Sequence, residues 1–326
     1  MAEITLVEAV NQALAYAMRT DENVVCLGED IAVNGGVFRT TVGLLDKFGP
    51  ERVMDTPLAE SMIAGLAIGM AAQGLKPVAE FQFMGFIFPA MNQIICHAAR
   101  IRNRTRGRIT CPAVFRAPFG GGIRAPEHHS ESTEALFAHI PGLRVVIPSS
   151  PRRAYGLLLA AIECPDPVIF LEPKRIYRHV KQEVPDDGAT LPLDSCFILQ
   201  EGTDVTLVTW GASIVESRQA VDNLTAQGIS VELIDLATIK PLDIETILAS
   251  VEKTGRLVIV HEAAKTGGVG GEIAAQVAER GLLSLKAPIA RVTGYDTTMP
   301  YFQLEKHYIP STQRIENALH RVLAYS

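Results

Sequence analysis

Two hydrophobic rhythms alternate along the chain. In the first half, short apolar or β-branched runs occupy 24–28, 77–81, 113–116, 144–147 and 167–171. Runs of this length between turn residues predict strands buried on both faces. Between them, apolar residues recur at helical spacing over 6–20, 60–73, 90–102, 133–138 and 154–163. The second half repeats the alternation, with strands predicted over 204–209, 231–235, 256–261 and 289–292. Helices are predicted over 214–226, 244–252 and 271–280. Strand–helix–strand alternation with near-continuous apolar strands predicts an α/β fold of parallel sheets covered on both faces. The polar, aperiodic stretch 175–192, with Pro185, Asp186, Asp187 and Gly188, reads as a linker. Two domains are expected, 1–185 and 197–326, joined by 186–196.

Composition narrows the class. The 326 residues are 48% hydrophobic and 20% charged, with a net charge of −6. Such a chain buries a large core and is not disordered. Its mild acidity argues against a protein held globally on nucleic acid or an anionic membrane. The longest apolar stretch, around 62–72, is too short to span a bilayer, which takes about 20 residues. No targeting signal is visible at the start of the chain, and the five cysteines show no CxxC spacing. Buried free thiols in a soluble, cytoplasmic protein are the expectation.

Four segments could carry chemistry. Asp55-Thr-Pro-Leu-Ala-Glu60 opens an almost uncharged helix, with Pro57 suited to its first turn. Glu60 is either a carboxylate favoured by the positive end of the helix dipole or a desolvated carboxyl that holds a proton near neutrality. The loop 118–132 carries three glycines followed by Glu127, His128, His129 and Glu131, with Ser130 or Ser132 placed to cap a following helix. A metal site there is disfavoured, because adjacent histidines point apart and no HExxH pattern exists. Arginines at 100, 102, 104, 106 and 108 lack the interleaved aromatics of a nucleic-acid surface and read as a helix end and loop. The turn Thr266-Gly-Gly-Val-Gly-Gly-Glu272 imitates a dinucleotide-binding loop but has Ile273 where a third small residue is needed. It reads as close backbone packing.

A resemblance then runs along nearly the whole chain. The segments GED (28–30), GGVFRTTVGL (35–44), RVMDTPLAE (52–60), AEFQFMGFIFPAMNQI (79–94), HSES (129–132), PGLRVVIPSS (141–150), DPVIFLEPKRIYR (166–178), IDLATIKPLD (234–243) and KTGRLVIVHE (253–262) occur in order. Together they resemble the beta subunits of the thiamine-diphosphate-dependent, transketolase-like dehydrogenase component of 2-oxo acid dehydrogenase complexes. That resemblance implies a pyrimidine-binding domain followed by a transketolase C-terminal domain, in an α2β2 heterotetramer. It implies that Glu60 hydrogen-bonds the cofactor's aminopyrimidine, that Leu58 and Phe86 contact the pyrimidine, and that His129 is the active-site histidine, with His128 second to it. Many relatives carry Asp where Asn92 stands and some an acidic residue where Pro89 stands, so the proton path between active sites proposed for such members is not expected here. No GDG motif is present, and the nearest, Asp186-Asp187-Gly188, lacks the rest of the pattern. The alpha subunit is therefore expected to supply the diphosphate and Mg2+ site, with no metal held by this chain and a structural K+ in some relatives. A lipoyl-bearing acyltransferase core is the second expected partner. Pyruvate is the first expected substrate, branched-chain 2-oxo acids the second and acetoin the third. A non-catalytic beta-like assembly protein is the contrasting reading, opposed by the retention of Glu60, Phe86 and His129.

Overall fold

The computed structural model describes residues 3–325. The chain divides into two compact units, one running to Phe119 and including Leu136–Leu193, the other comprising Gly120–Ala135 and Asp194 onward. The segment 186–196 carries neither helix nor strand.

In the first unit six strands form a parallel array in the spatial order Arg144–Val146, Val168–Pro173, Val114–Phe119, Lys76–Glu80, Val24–Gly28, Val53–Asp55. Their residues are almost all buried, which is why the strands read as continuous apolar runs. The helix Leu6–Thr20 has the predicted bounds. A capping box closes its first turn: Glu8 N–H donates to Thr5 Oγ1 at 3.4 Å and Thr5 N–H to the Glu8 carboxylate at 2.7 Å. It packs on Pro151–Glu163, capped by Ser150. A separate antiparallel pair joins Glu3–Thr5 to Lys181–Glu183, inside the stretch the sequence presents as structureless.

In the second unit the sheet order is Ala290–Gly294, Leu257–Ala264, Val205–Thr209, Val231–Asp235, Phe197–Gln200. All neighbours are parallel except the edge strand Phe197–Gln200, an antiparallel addition to the expected parallel sheet. The helix Thr312–Leu323, absent from the sequence prediction, buries Ile315, Ala318, Leu319 and Val322 against this unit's core. Those positions are spaced three and four apart, the signature of one helical face.

Two expectations need correction. The helix predicted over 90–102 is broken. A 3₁₀ segment Met84–Ala90 containing Pro89 leads into a single α-turn Met91–Gln93, a π-turn Ile94–Ala98 and a short helix Ile101–Arg104. Proline inside the 3₁₀ segment removes a donor, and the wider π-turn changes the facing of the residues that follow. Pro57, in turn, does not enter the helix, which begins at Glu60.

All five cysteines are free; Cys26, Cys111 and Cys164 are buried, and Cys96 and Cys196 partly so. Burial pushes the Cys26 and Cys111 thiols up to about 12, which keeps them protonated and unreactive. No helix among the described residues is long and apolar enough to cross a membrane.

Candidate active site

The first unit presents a carboxyl pair at the end of a strand and the start of a helix. Strand Val24–Gly28 delivers Glu29 into the interior, 6% exposed. Gly28 is required just before it: a Cβ there would lie 2.6 Å from the Glu80 carbonyl of the neighbouring strand. The chain then turns through Asp30 at φ 57°, and Asp55 fastens the loop by accepting from Ala32 N–H at 2.7 Å and Val33 N–H at 3.2 Å. Across from it, helix Glu60–Ala72 starts without a side-chain cap. Burial, with the nearby Glu60 and Asp30 charges, holds the Glu29 carboxyl above the usual glutamate range. Glu60 is half-buried in the first turn, where the helix's unpaired N–H groups favour negative charge. Leu58, just before it, is 80% exposed.

Phe86 is half-buried in the 3₁₀ segment Met84–Ala90 and packs edge-on against Phe83, ring centroids 5.8 Å apart. Ser61 Oγ donates to the Pro89 carbonyl at 2.6 Å, so the residue after Glu60 is bonded to the segment that carries Phe86. Pro89 and Asn92 are exposed and uncharged.

Beneath this region lies a charge cluster that the sequence reading did not single out. Arg116, 1% exposed, donates to Glu172 through Nε at 2.6 Å and Nη2 at 2.7 Å, and through Nη1 to Glu80. Tyr177 O–H donates to Glu172 at 2.5 Å. A Cβ on Gly36 would come 3.2 Å from a Glu80 oxygen, so the loop after Glu29 rests on this cluster. The signal was present: Glu80, Arg116 and Glu172 each interrupt an apolar strand on three neighbouring strands. A charged residue in such a run needs a partner.

The second unit holds the glycine-rich loop. Gly120 and Gly122 have φ of 80° and 88°, open to glycine without strain. Two carboxylates latch the loop's backbone. Glu262 accepts from Gly121 N–H at 2.5 Å and from Ser132 Oγ at 3.0 Å. Glu305 accepts from Gly122 N–H at 2.7 Å and from Arg124 N–H at 3.1 Å. Ser132 is thus engaged with Glu262, and Ser130 Oγ donates to the Ala125 carbonyl at 3.5 Å. His128 and His129 occupy the 3₁₀ turn Glu127–His129, the first exposed and the second half-buried. A cavity of about 530 Å³ lies beside them, lined by Ser130, Glu131, Asp296 and Tyr308 among others.

Deeper in this unit, Glu134 accepts from Trp210 Nε1 at 3.2 Å, and the indole stacks on His261, centroids 4.9 Å apart. Gly268 and Gly270 close on that imidazole: added Cβ atoms would lie 2.8 and 2.7 Å from its ring atoms. The glycines of the turn 266–272 therefore serve packing. Burial, reinforced by nearby Glu262, pushes the Glu134 carboxyl up to about 7. An unfolded glutamate ionises near 4.5, so folding is progressively disfavoured as pH rises from there to about 7, and the full penalty persists above. Glu134→Gln keeps the acceptor for Trp210 and removes the penalty. It is expected to raise stability by about 2–3 kcal/mol at pH 8 and leave it unchanged near pH 4. Thermal unfolding at both pH values checks this; equal shifts would refute it.

Asp186 of the DDG sequence is spent locally, accepting from Arg19 Nη2 at 3.0 Å and Tyr155 O–H at 3.2 Å. Arg102 of the arginine run pairs with Asp166 at 2.7 and 2.8 Å. No group of three His, Cys, Asp or Glu able to hold a metal occurs among the described residues. The expected site residues thus fall in both units: Leu58, Glu60 and Phe86 in the first, and His129 in the second.

Two α/β units of this kind define a class. Residues 2–180 match the family model described as the transketolase pyrimidine binding domain, and 195–315 match the transketolase C-terminal domain. A solved structure titled "Split gene transketolase, inactive beta4 tetramer" has the same fold, with a TM-score of 0.82 at 24% identity over 99% of each chain. The chain belongs to the family of pyruvate dehydrogenase E1 component beta subunits. It is 54% identical over 315 residues to the Acholeplasma laidlawii member, covering 97% of this chain and 96% of the relative. To the Bacillus subtilis (strain 168) member it is 47% identical over 325 residues, the full length of both.

Proposed function

We propose that this chain is the beta half of a cytoplasmic, thiamine-diphosphate-dependent enzyme. That enzyme oxidatively decarboxylates pyruvate and transfers the acetyl group to lipoyl groups of an acyltransferase core. The observation that carries the reading is Glu60, half-buried at the head of an uncapped helix within the pyrimidine-binding unit. The residues fit the pyrimidine half of the cofactor. Glu60 offers a carboxyl oxygen to a ring nitrogen, Phe86 an aromatic surface and Leu58 an exposed apolar side chain. They do not fit the diphosphate half, which calls for a GDG motif that the sequence lacks and a metal-ligating set that does not occur among the described residues. A separate alpha subunit then holds the diphosphate and Mg2+ in an α2β2 assembly. The uncovered apolar side of helix Glu60–Ala72, with Met62 and Leu66 about 40% exposed and open space beside Gly69, suits such a partner.

When bound, thiamine diphosphate supplies the carbon nucleophile and the electron sink for decarboxylation. Glu60 holds the hydrogen bond at the pyrimidine ring nitrogen, and Phe86 and Leu58 exclude water from the ring. His129, on its latched loop, exchanges a proton with the arriving lipoyl group. The lipoyl-bearing core docks on the C-terminal unit.

The test is dye-coupled decarboxylation by this chain reconstituted with an alpha subunit, thiamine diphosphate and Mg2+. Pyruvate should be turned over at least about tenfold more efficiently than 3-methyl-2-oxobutanoate, the selectivity that a few buried methyl groups provide. Preference for the branched acid would transfer the assignment to branched-chain substrates. No turnover of either by a stable assembly would end the catalytic reading.

A further inference from the structure

The loop that carries His129 is held by more than its own backbone. At its neck, Gly120 N–H donates to the Glu131 carbonyl at 2.9 Å. Inside it, His129 N–H donates to the Pro126 carbonyl at 2.9 Å and Ser130 N–H to the Glu127 carbonyl at 2.8 Å. Two carboxylates from outside the loop then grip it on both sides of the histidine. Glu305 opens the short helix Glu305–Tyr308 and accepts from Gly122 and Arg124 N–H, ahead of His129. Glu262, from strand Leu257–Ala264, spans the neck. Its Oε1 accepts from Gly121 N–H before the histidine and from Ser132 Oγ after it. Glu262 and Glu305 are only 6% and 5% exposed.

Carboxylates are costly to bury, but hydrogen bonds to an ionised acceptor are about twice as strong as neutral ones. The backbone they grip is shaped for the contact. A Cβ on Gly120 would lie 2.8 Å from Glu262 Oε1. Arg124, whose N–H Glu305 holds, sits at φ 61°. A non-glycine residue in that region is strained and persists only where its surroundings fix it. We infer that Glu262 and Glu305 are positioning residues for His129: together they fix the loop 120–132 so that the imidazole meets the lipoyl group in one orientation. The inference rests on the proposed role of His129 in transfer to the lipoyl group, and deepens it by naming what holds the histidine in place.

Two rates of the reconstituted enzyme isolate the step: dye-coupled decarboxylation, and reductive acylation of a lipoyl domain. Both are measured with whichever 2-oxo acid the assembly turns over. The ratio of acylation to decarboxylation should fall about tenfold or more in Glu305→Ala, since a misplacement of about 1 Å can cost about 10²-fold. Glu305→Gln keeps an acceptor oxygen and should hold the ratio within about threefold of wild type. Ser132→Ala deletes one donor to Glu262 and should lower the ratio about threefold or more, which decides the matter if Glu305→Ala does not fold. Because the carboxylates act through His129, neither Glu305→Ala nor Ser132→Ala should lower the ratio further in a His129→Ala background. Structural damage unconnected with the histidine would lower it by the same factor in both backgrounds. Such additive losses overturn the inference. Hydrogen exchange of the full chain reads the grip without catalysis. Amides of 120–132 should exchange at least about tenfold faster in Glu305→Ala than in wild type, with those of Val205–Thr209 unaltered. Equal exchange over 120–132 overturns the inference as well. A ratio that collapses in His129→Ala but not in Glu305→Ala or Ser132→Ala removes the positioning role alone. A ratio left intact by His129→Ala removes the role proposed for the histidine, and the inference falls with it.

Discussion

Replacing Glu60 with alanine is expected to lower kcat of the reconstituted enzyme by about 10²–10⁴-fold, the range that removal of a proton-handling side chain produces. The same change should leave the fold intact. Glu60 is half-buried and sits beside Glu29, whose carboxyl its charge disfavours. Removing it relieves that repulsion and forfeits only a favourable placement at a helix N-terminus, worth about 0.3–1 kcal/mol. Thermal stability of Glu60→Ala should therefore match wild type within a few degrees while activity collapses. That combination marks a residue retained for chemistry at some expense to packing. Turnover within threefold of wild type, with the assembly and cofactor bound, would remove Glu60 from the mechanism. A variant that fails to fold would show that the carboxylate serves structure. Glu60→Gln separates the two, since the amide retains the shape but cannot exchange a proton.

Arg116→Met is expected to produce the largest loss of stability. The guanidinium is 1% exposed and holds Glu80 and Glu172, themselves 3% and 0% exposed. Methionine fills much of the volume but leaves two buried carboxylates without a cation, a change that costs about 3–5 kcal/mol. In a unit of this size that corresponds to a fall in Tm of about 6–20 °C. The loss should depend on pH with a definite sign. Burial already holds the Glu80 carboxyl above its ordinary range, and without Arg116 nothing nearby opposes that rise. Below the pH at which unfolded carboxyls ionise, Glu80 can stay neutral and the penalty shrinks. As pH rises toward 8 the unfolded chain releases protons that the folded chain retains, and the penalty grows. Melting curves near pH 4.5 and pH 8 measure it, and an equal loss at both would exclude buried charge as the cause. Because the loop after Glu29 rests on this cluster through Gly36, activity should fall at temperatures well below the wild-type limit.

The hydrophobic pattern alone determined most of the elements, because strand and helix periods are local properties. The helix Leu6–Thr20 was legible to the residue, with apolar positions on one face and Thr5 and Glu8 in a capping pattern. Strand Val231–Asp235 was equally legible, with apolar Val231, Leu233 and Ile234 in a short run. The ordered motifs also assigned the family, whose full-length relatives carry the same domains. Other features depended on what lies across the fold. The run 90–102 reads as one helix, yet the π-turn Ile94–Ala98 breaks it shortly after the 3₁₀ segment that carries Phe86 and Pro89. The resemblance ranked His129 above His128, but their different exposure follows only from the 3₁₀ turn Glu127–His129, which comes after a loop whose Gly121 and Gly122 N–H groups bond the distant Glu262 and Glu305. Glu80, Arg116 and Glu172 stand far apart in sequence and become one ion cluster only when three strands pair in register. Glu29 read as part of a GED motif until the strand end and the start of the Glu60 helix met and removed water from it. Periodicity is written between near neighbours, whereas desolvation and charge pairing are set by whichever distant residues the fold brings into contact.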